Sequence, residues 1–580
     1  MADREGEGRN GRKVGEDHQS QPQSDLNAMA RLAGSLVISV FAIVSIALAW
    51  VIPYAAITGL RSGHSDRTKK WELLVRVSTE NPKWDFANMP PVSMRHGFPL
   101  AYWHAWTYGQ DPRYRQRILE NAGLAFGMLV LLASGIALLF LANRPSTLHG
   151  DARFGTIRDA RKARLLGKTG LLLGKLGGHV LRSNDPGHVL VVGPTRSGKG
   201  VSFVIPNGHA WAGSMVVLDI KMENHAAFAE ARKAAGNDIF VFAPGSVKTH
   251  RYNPLDFVRS GPEMATDCQN IAGFLTAVPN ENEWSLAARK LVAALLGYVL
   301  TSPLYVQART IRSAVAVIST GNDIADVLKV LVATERQYLP QWVVDDFNQF
   351  IAIPERTRGS VLFNVANAFA PWSSELIAQA TSASDFDIRE LRRRKITIFI
   401  GTPLADLESY RPLVRILFQQ IHDVLMRKLP DKDEPHQVLL MLDEFFALGR
   451  MTSLASKIAV SAGYGFRMAI ILQNLSQLDE LYGKATRETL IAGCAMKLFV
   501  AINDNATAQY VSETLGNYTT DNRTKIIGSG ITQSARISVT KIGVPLRRPE
   551  ALMKMPPDKS VLLIGGARPM QVIKATRALT

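Results

Sequence analysis

Two short stretches carry residues whose types and spacing suit phosphate chemistry. The first is Gly193-Pro194-Thr195-Arg196-Ser197-Gly198-Lys199-Gly200, entered from the apolar run Val189–Val192. Glycines at both ends of such a loop let backbone N–H groups turn inward around phosphate oxygens. A lysine after the second glycine reaches the outer phosphates. Val201 and the residues after it would begin a helix whose positive end faces the anion. The loop departs from the usual pattern at one position. The hydroxyl residue that normally follows the lysine and binds magnesium is Gly200.

The second stretch is Val438-Leu439-Leu440-Met441-Leu442-Asp443-Glu444, an apolar strand candidate ending in two carboxylates. In ATPases with such a loop, the first carboxylate holds Mg²⁺ directly or through water, and the second can polarise the attacking water. Asp443 is therefore the expected magnesium residue and Glu444 the expected base. Magnesium keeps several waters in its shell, so phosphate oxygens, water and a carboxylate can hold it without a hydroxyl at position 200. Gln473 ends the next apolar run, Ala469–Leu472. There it would sense the γ-phosphate or position water, or else bind backbone at a strand end. Asp219, after Met215–Leu218, reads as a helix cap.

The elements that must position these groups follow the same texture from residue 188 onward. Strand candidates are Val189–Val192, Met215–Leu218, Ile239–Phe242, Ile396–Ile400, Val438–Leu442, Met468–Leu472, Lys497–Ala501 and Val561–Ile564. Helical patterns separate most of them, which predicts a largely parallel sheet covered on both faces. From about 262 to 385 the strands stop. Helices are expected at Trp284–Leu300, Ala308–Ser319, Trp342–Phe350 and Ser360–Ala370, an all-α insertion spanning 262–385.

The chain before residue 188 reads differently. Residues 1–28 are polar and charged, and cannot bury enough surface to fold alone. Leu32 to Ile57 carries no charge and spans about 39 Å as a helix; Ala122 to Ala142 spans about 31 Å. Both are long enough to cross a bilayer, and Trp50 and Tyr54 suit its interface. Basic residues flank the second run on both sides, so charge does not decide orientation. The nucleotide loop does: ATP is cytoplasmic, which puts 144–580 and the N-terminal tail inside and the loop of about 58–117 outside.

Net charge is +17, from 67 basic and 50 acidic residues, and favours an anionic partner. Basic clusters lie at Arg392-Arg393-Arg394-Lys395 and at Arg523, Lys525, Arg536, Lys541, Arg547 and Arg548. Gly, Ser and Thr around the second cluster suggest flexible loops. Such loops would track a phosphate backbone without reading sequence, or be solvated charged faces. Cys268 and Cys494 lie far apart, so neither a disulfide framework nor a thiolate metal site is indicated.

With these residues together, the chain resembles the type IV secretion system coupling proteins, the TraG-like conjugal transfer ATPase family. The resemblance rests on the two apolar runs, Leu148-His149-Gly150-Asp151-Ala152-Arg153-Phe154, the loop from Gly193 to Val201, Leu218-Asp219-Ile220-Lys221 and Tyr252-Asn253-Pro254-Leu255. It continues through Leu442–Arg450, Gly463-Tyr464-Gly465-Phe466-Arg467 and Gln473. Glycine after the lysine is itself similar to a variant found in that family.

The resemblance implies an α/β fold: a RecA-like P-loop domain (144–261 and 386–580) carrying the all-α insertion, behind two transmembrane helices within 29–143. It implies a multi-pass inner-membrane ATPase that uses ATP and Mg²⁺ and assembles as a homo-hexamer. Its partners would be relaxase-bound single-stranded DNA, relaxosome proteins and inner-membrane components of the secretion channel. Two other readings keep the same sites: a substrate receptor with little hydrolysis, and a coupling ATPase for protein effectors only. Nucleotide would sit between subunits, with an arginine from the neighbour. In some relatives that arginine precedes the glycine equivalent to Gly465, where this chain has Tyr464; Arg450 and Arg467 are the candidates. No acidic tail precedes Thr580, so the all-α insertion is the expected substrate receptor.

Overall fold

The computed structural model describes residues 147–580 except 279–280, 402–405, 527–535 and 576–580, together with helical backbone at 127 and 130–137. The chain divides into two units, Met1–Pro145 and Ser146–Thr580. The run Leu32–Ile57 and most of Ala122–Ala142 lie outside the described residues. In the second unit, one sheet of eleven strands forms the frame. In chain order these are β1 (Leu171–Leu176), β2 (His179–Ser183), β3 (Val189–Val192), β4 (Ser214–Leu218), β5 (Asp238–Phe242), β6 (Ile396–Ile400), β7 (Val438–Leu442), β8 (Phe466–Leu472) and β9 (Met496–Phe499). A separate ribbon, β10 (Asn517–Ile526) with β11 (Arg536–Pro545), precedes β12 (Lys559–Ile564) and β13 (Met570–Ile573).

The spatial order is β2-β1-β13-β12-β9-β3-β8-β7-β4-β6-β5. The seven strands from β9 to β5 are mutually parallel, and the four on the other flank are antiparallel. Parallel strands need both faces covered, and their sequences show it. Residues of β3, β4, β7 and β8 are buried throughout and alternate between two cores. Leu190, Val192, Val216, Leu218, Leu440 and Leu442 face one core. Val189, Val191, Met215, Val217, Leu439 and Met441 face the other. The period of two along a strand makes that division automatic.

Between β5 and β6 the described chain is helical. Glu283–Thr301, Ile311–Ile318, Ile324–Glu335, Gln341–Ile351 and Glu355–Phe369 form most of that layer. They share one continuous core with a face of the sheet. Among the described residues, Glu283–Thr301 is the one helix long and apolar enough to cross a membrane. It is 61% buried, as the central helix of this layer. An Asn282–Ser285 capping box starts it.

Arg523, Lys525, Arg536 and Lys541 lie on a β-ribbon rather than in the loop that composition suggested, while Arg547 and Arg548 follow it outside any strand. Tyr518, Thr520, Ile542, Thr540 and Val544 favour extended chain, and β10 and β11 pair in unbroken antiparallel register from Asn517↔Pro545 to Ile526↔Arg536. The chain around Gly150 grips the base of this ribbon. His149 Nε2 meets Lys541 O at 3.0 Å, Thr519 N donates to Gly150 O at 3.1 Å, and Asp151 bridges to Tyr518. Gly150 has φ +129°, and a Cβ there would lie 2.2 Å from Asn517 O, so only glycine fits.

Candidate functional site

The carboxyl ends of the parallel strands bring the expected residues together. Among the described residues, three of the four non-glycine residues with positive φ lie just after those ends: Arg196 after β3 (φ +61°), Met222 after β4 (+57°) and Glu444 after β7 (+69°). Each such conformation costs about 1–3 kcal/mol and persists only where its surroundings hold it, as they do at functional sites.

The loop after β3 is tightly built. Gly193 N donates to Leu472 O at 3.1 Å, and Ser197 N to Pro194 O at 3.2 Å. A Cβ at 193 would come within 2.7 Å of Ser197 Oγ, so the first glycine is needed for close approach. Gly198 supplies the turn with φ +89°. Lys199 reaches back across the loop to Gly193 O and, at 3.2 Å, to Pro194 O. Burial lowers the proton affinity of its ammonium, while Glu444 and Asp443 raise it. The helix expected after the loop begins as a single π turn, Gly200–Val204, before the α-helix Ile205–Ala210. Pro206 has no N–H for the carbonyl four residues back, and its ring crowds that carbonyl. Such π turns are frequent at functional sites.

Asp443 and Glu444 follow β7 beside β4 and β8. Burial raises the Asp443 carboxyl above the ordinary aspartate range; a hydrogen bond from Asn224 Nδ2 to Oδ2, 3.1 Å, works against that. Asp219, at the end of β4, accepts from His225 N at 2.7 Å, a free N–H in the first turn of the helix Glu223–Ala234, although the N-cap position itself is Met222. Burial raises its pKa as well. Gln473 Oε1 accepts from Thr195 Oγ1 at 3.3 Å, which ties the end of β8 to the loop.

ATP and Mg²⁺ suit this donor set. The Ser197 hydroxyl is buried in the loop with no hydrogen-bond partner, a polar atom left for a bound group to satisfy. Loop amides and Lys199 match phosphate, and one carboxylate backed by water and phosphate suffices for magnesium. Among the described residues no cluster of three or more His, Cys, Asp or Glu forms a metal cage. A Cβ at Gly200 would meet nothing within 4 Å, so glycine there is not a packing requirement.

Arg467 does not fit the role of an arginine offered to a neighbour. It is buried on β8, donates to Ser183 O and Asn184 O, and stacks over Trp211 at 5.4 Å. Its alternation on a central strand turns it into the sheet's second face. Arg450 is exposed. The cluster at 392–395 is also internally committed. Arg392 is buried, pairs with Glu434 at 3.1 Å and donates to Leu425, Lys428 and Tyr464 carbonyls. Arg393 pairs with Glu390 and Arg394 with Asp238.

Two residues beside the loop escape a motif reading. Asn224 lies in the helix after β4, and only its spacing from Asp219 could have flagged it. Lys574 donates to Ser197 O at 2.9 Å from the far end of the chain, where no sequence pattern marks it. Cys268 and Cys494 are free and buried, their thiols pushed up to about 12 by burial.

A strand-to-phosphate-loop turn and a strand-end Asp-Glu pair on the parallel strands of one sheet define a P-loop nucleotide-binding protein. The chain belongs to the family described as Type IV secretory system Conjugative DNA transfer, whose profile matches residues 153–578. It is 30% identical over 512 residues to the protein VirD4 of Agrobacterium fabrum, covering 83% of this chain and 75% of that one. It is 30% identical over 515 residues to the conjugal transfer protein TraG of Escherichia coli, covering 80% of each. The solved structure of the bacterial conjugative coupling protein TrwB, in complex with sulphate, superposes with a TM-score of 0.57. The identity is 18%, over 75% of this chain and 97% of that one. TrwB with ADP and Mg²⁺ gives a TM-score of 0.55 at 16% identity, over 74% of this chain and 96% of that one. These likenesses establish the RecA-like α/β fold, and the chain is a type IV coupling protein of conjugative DNA transfer.

Proposed function

We propose that the chain is an inner-membrane ATPase that recruits relaxase-bound single-stranded DNA to a type IV secretion channel and energises its transfer. One observation carries this reading: the Lys199 loop, Asp443-Glu444 and Gln473 converge at the carboxyl edge of the parallel strands of one sheet. Bound Mg²⁺-ATP would supply the phosphoanhydride and the metal charge that offsets its phosphates.

The chain's own residues do the rest. The loop of 193–201 would cradle the phosphates with those N–H groups that the loop leaves free (Pro194 has none, and Gly193 N and Ser197 N already bond Leu472 O and Pro194 O), with the side chains of Thr195, Arg196 and Ser197 around them and Lys199 on the outer phosphates. Asp443, oriented by Asn224, would hold the metal directly or through water. Glu444 takes a proton from the attacking water. Gln473, already bonded to Thr195, reports the state of the outer phosphate to β8. In a homo-hexamer, exposed Arg450 is the candidate to reach a neighbour's site.

We read 144–261 and 386–580 as the nucleotide domain and 262–385 as the substrate-receiving all-α domain. The runs at about 32–57 and 122–142 are read as membrane spans that keep 144–580 cytoplasmic. Lys199→Ala should abolish DNA transfer while membrane insertion persists; normal transfer by that variant would overturn the motor. A receptor with little hydrolysis is the second reading, motivated by Gly200. DNA-stimulated ATP turnover by the purified protein separates the two.

A further inference from the structure

We propose that Lys574 is a positioning residue for the phosphate-binding loop, holding it in the conformation that accepts a nucleotide phosphate. This rests on the reading of residues 193–200 as the ATP site. β13 runs antiparallel to β12, β12 antiparallel to β9, and β9 parallel to β3. The carboxyl end of β13 therefore emerges at the edge of the sheet where the loop sits.

Lys574 follows β13 directly. Its backbone is fixed by a bond from its N to Asp558 O, 2.8 Å, and by the buried Ala575 beside it. From this platform the ammonium reaches Ser197 O at 2.9 Å. In a trans peptide the carbonyl and the following N–H point in opposite directions. Drawing Ser197 O toward Lys574 therefore aims Gly198 N–H the other way. Gly198 O is held too, by Ser202 N at 2.9 Å and Ser202 Oγ at 2.7 Å. The peptides on either side of Gly198 are thus both pinned by their oxygens, one from the C-terminal strand and one from the helix.

Burial holds the Lys574 ammonium below the usual lysine range, and Asp558 opposes that. A charged donor on a carbonyl makes a stronger bond than a neutral one, so the tether is suited to fixing a loop. A loop fixed beforehand binds its ligand without an ordering cost.

The test uses the full-length protein in detergent, with Lys574→Met, Lys574→Arg and Lys199→Ala. The probe is a fluorescent ATP analogue with Mg²⁺, and melting is measured without nucleotide. Lys574→Met should weaken binding about tenfold with its nucleotide-free melting temperature unchanged. Lys574→Arg should recover most of the affinity. Wild-type binding by Lys574→Met, with binding lost in Lys199→Ala, would overturn the role of Lys574 and leave the site intact. A lowered melting temperature in Lys574→Met, without recovery by arginine, would reduce Lys574 to a strand anchor and overturn the proposal equally. Wild-type binding by Lys199→Ala would remove the nucleotide site itself, and this inference with it.

Discussion

Asn224 donates its side-chain amide to Asp443, 3.1 Å from Nδ2 to Oδ2, across 219 residues of sequence. The bond links the helix that follows β4 to the end of β7. A donor on a carboxylate favours the charged form, so this contact lowers a pKa that burial raises. Asn224→Ala should move the Asp443 pKa further up. The acid limb of the ATP turnover profile should shift to higher pH, with the alkaline limb in place. An unmoved acid limb would separate Asp443 from the rate.

Position 200 has open space around it. Gly200→Ser should fold with a stability change within about 1 kcal/mol. If the missing hydroxyl limits metal binding, the variant should reach half-maximal turnover at lower Mg²⁺ than the natural chain. A Mg²⁺ titration of turnover reads this directly.

His188, just before β3, is fully buried. Its Nδ1 accepts from Met468 N at 3.0 Å, and Nε2 faces Ser461 Oγ at 2.8 Å and Ile458 O at 3.1 Å. The ring is therefore held neutral with the proton on Nε2, and burial lowers its pKa to about 4. Unfolded, it titrates near 6.5. The unfolded chain binds the extra proton, so this contribution is complete above about pH 6.5 and is lost as pH falls toward 4. The difference amounts to about 3 kcal/mol. His188→Asn, which keeps an acceptor for Met468, should flatten the fall in melting temperature across that window.

Two basic clusters should behave oppositely. Arg392→Met breaks a buried pair and should cost about 3 kcal/mol or more, without altering DNA binding beyond the loss of folded protein. Arg393→Ala and Arg394→Ala, at exposed pairs, should stay within about 1 kcal/mol. Arg523 and Lys541 share one face of the β10–β11 ribbon and are exposed. If that face meets single-stranded DNA, replacing either should reduce the salt slope of binding by about 0.7. Filter binding across a salt series measures it.

Much of the sheet was legible because its strands are short all-apolar runs between helical patterns. Val189–Val192, Ile396–Ile400 and Val438–Leu442 appear with the expected limits, and the other five candidates within a few residues. The site's strand-end residues came with them. Of the antiparallel flank only Val561–Ile564, in β12, was seen. β1 and β2 meet at Gly177-Gly178, a turn signal obscured by the basic stretch around it. β10 and β11 hide because an exposed ribbon needs no apolar alternation. Arg467 and Arg392 illustrate the other limit. Composition reads each as a surface cation, yet both are buried on backbone carbonyls, a fact that only neighbours distant in sequence decide.

β3, which carries the phosphate loop, has both its partners far downstream: Val189–Val192 pairs with Ala469–Leu472 on one side and Met496–Phe499 on the other. During synthesis at 5–20 residues per second, the loop waits roughly 15 to 60 s for its second neighbour. Until then a four-residue apolar strand stands with at least one bare edge, a state open to wrong pairing. A chain cut short before Met496 would carry every residue of the Gly193–Gly200 motif and still lack β9, one of the two strands that flank β3. Both neighbours of the strand that carries the nucleotide loop are thus in the chain only after Phe499 has been added.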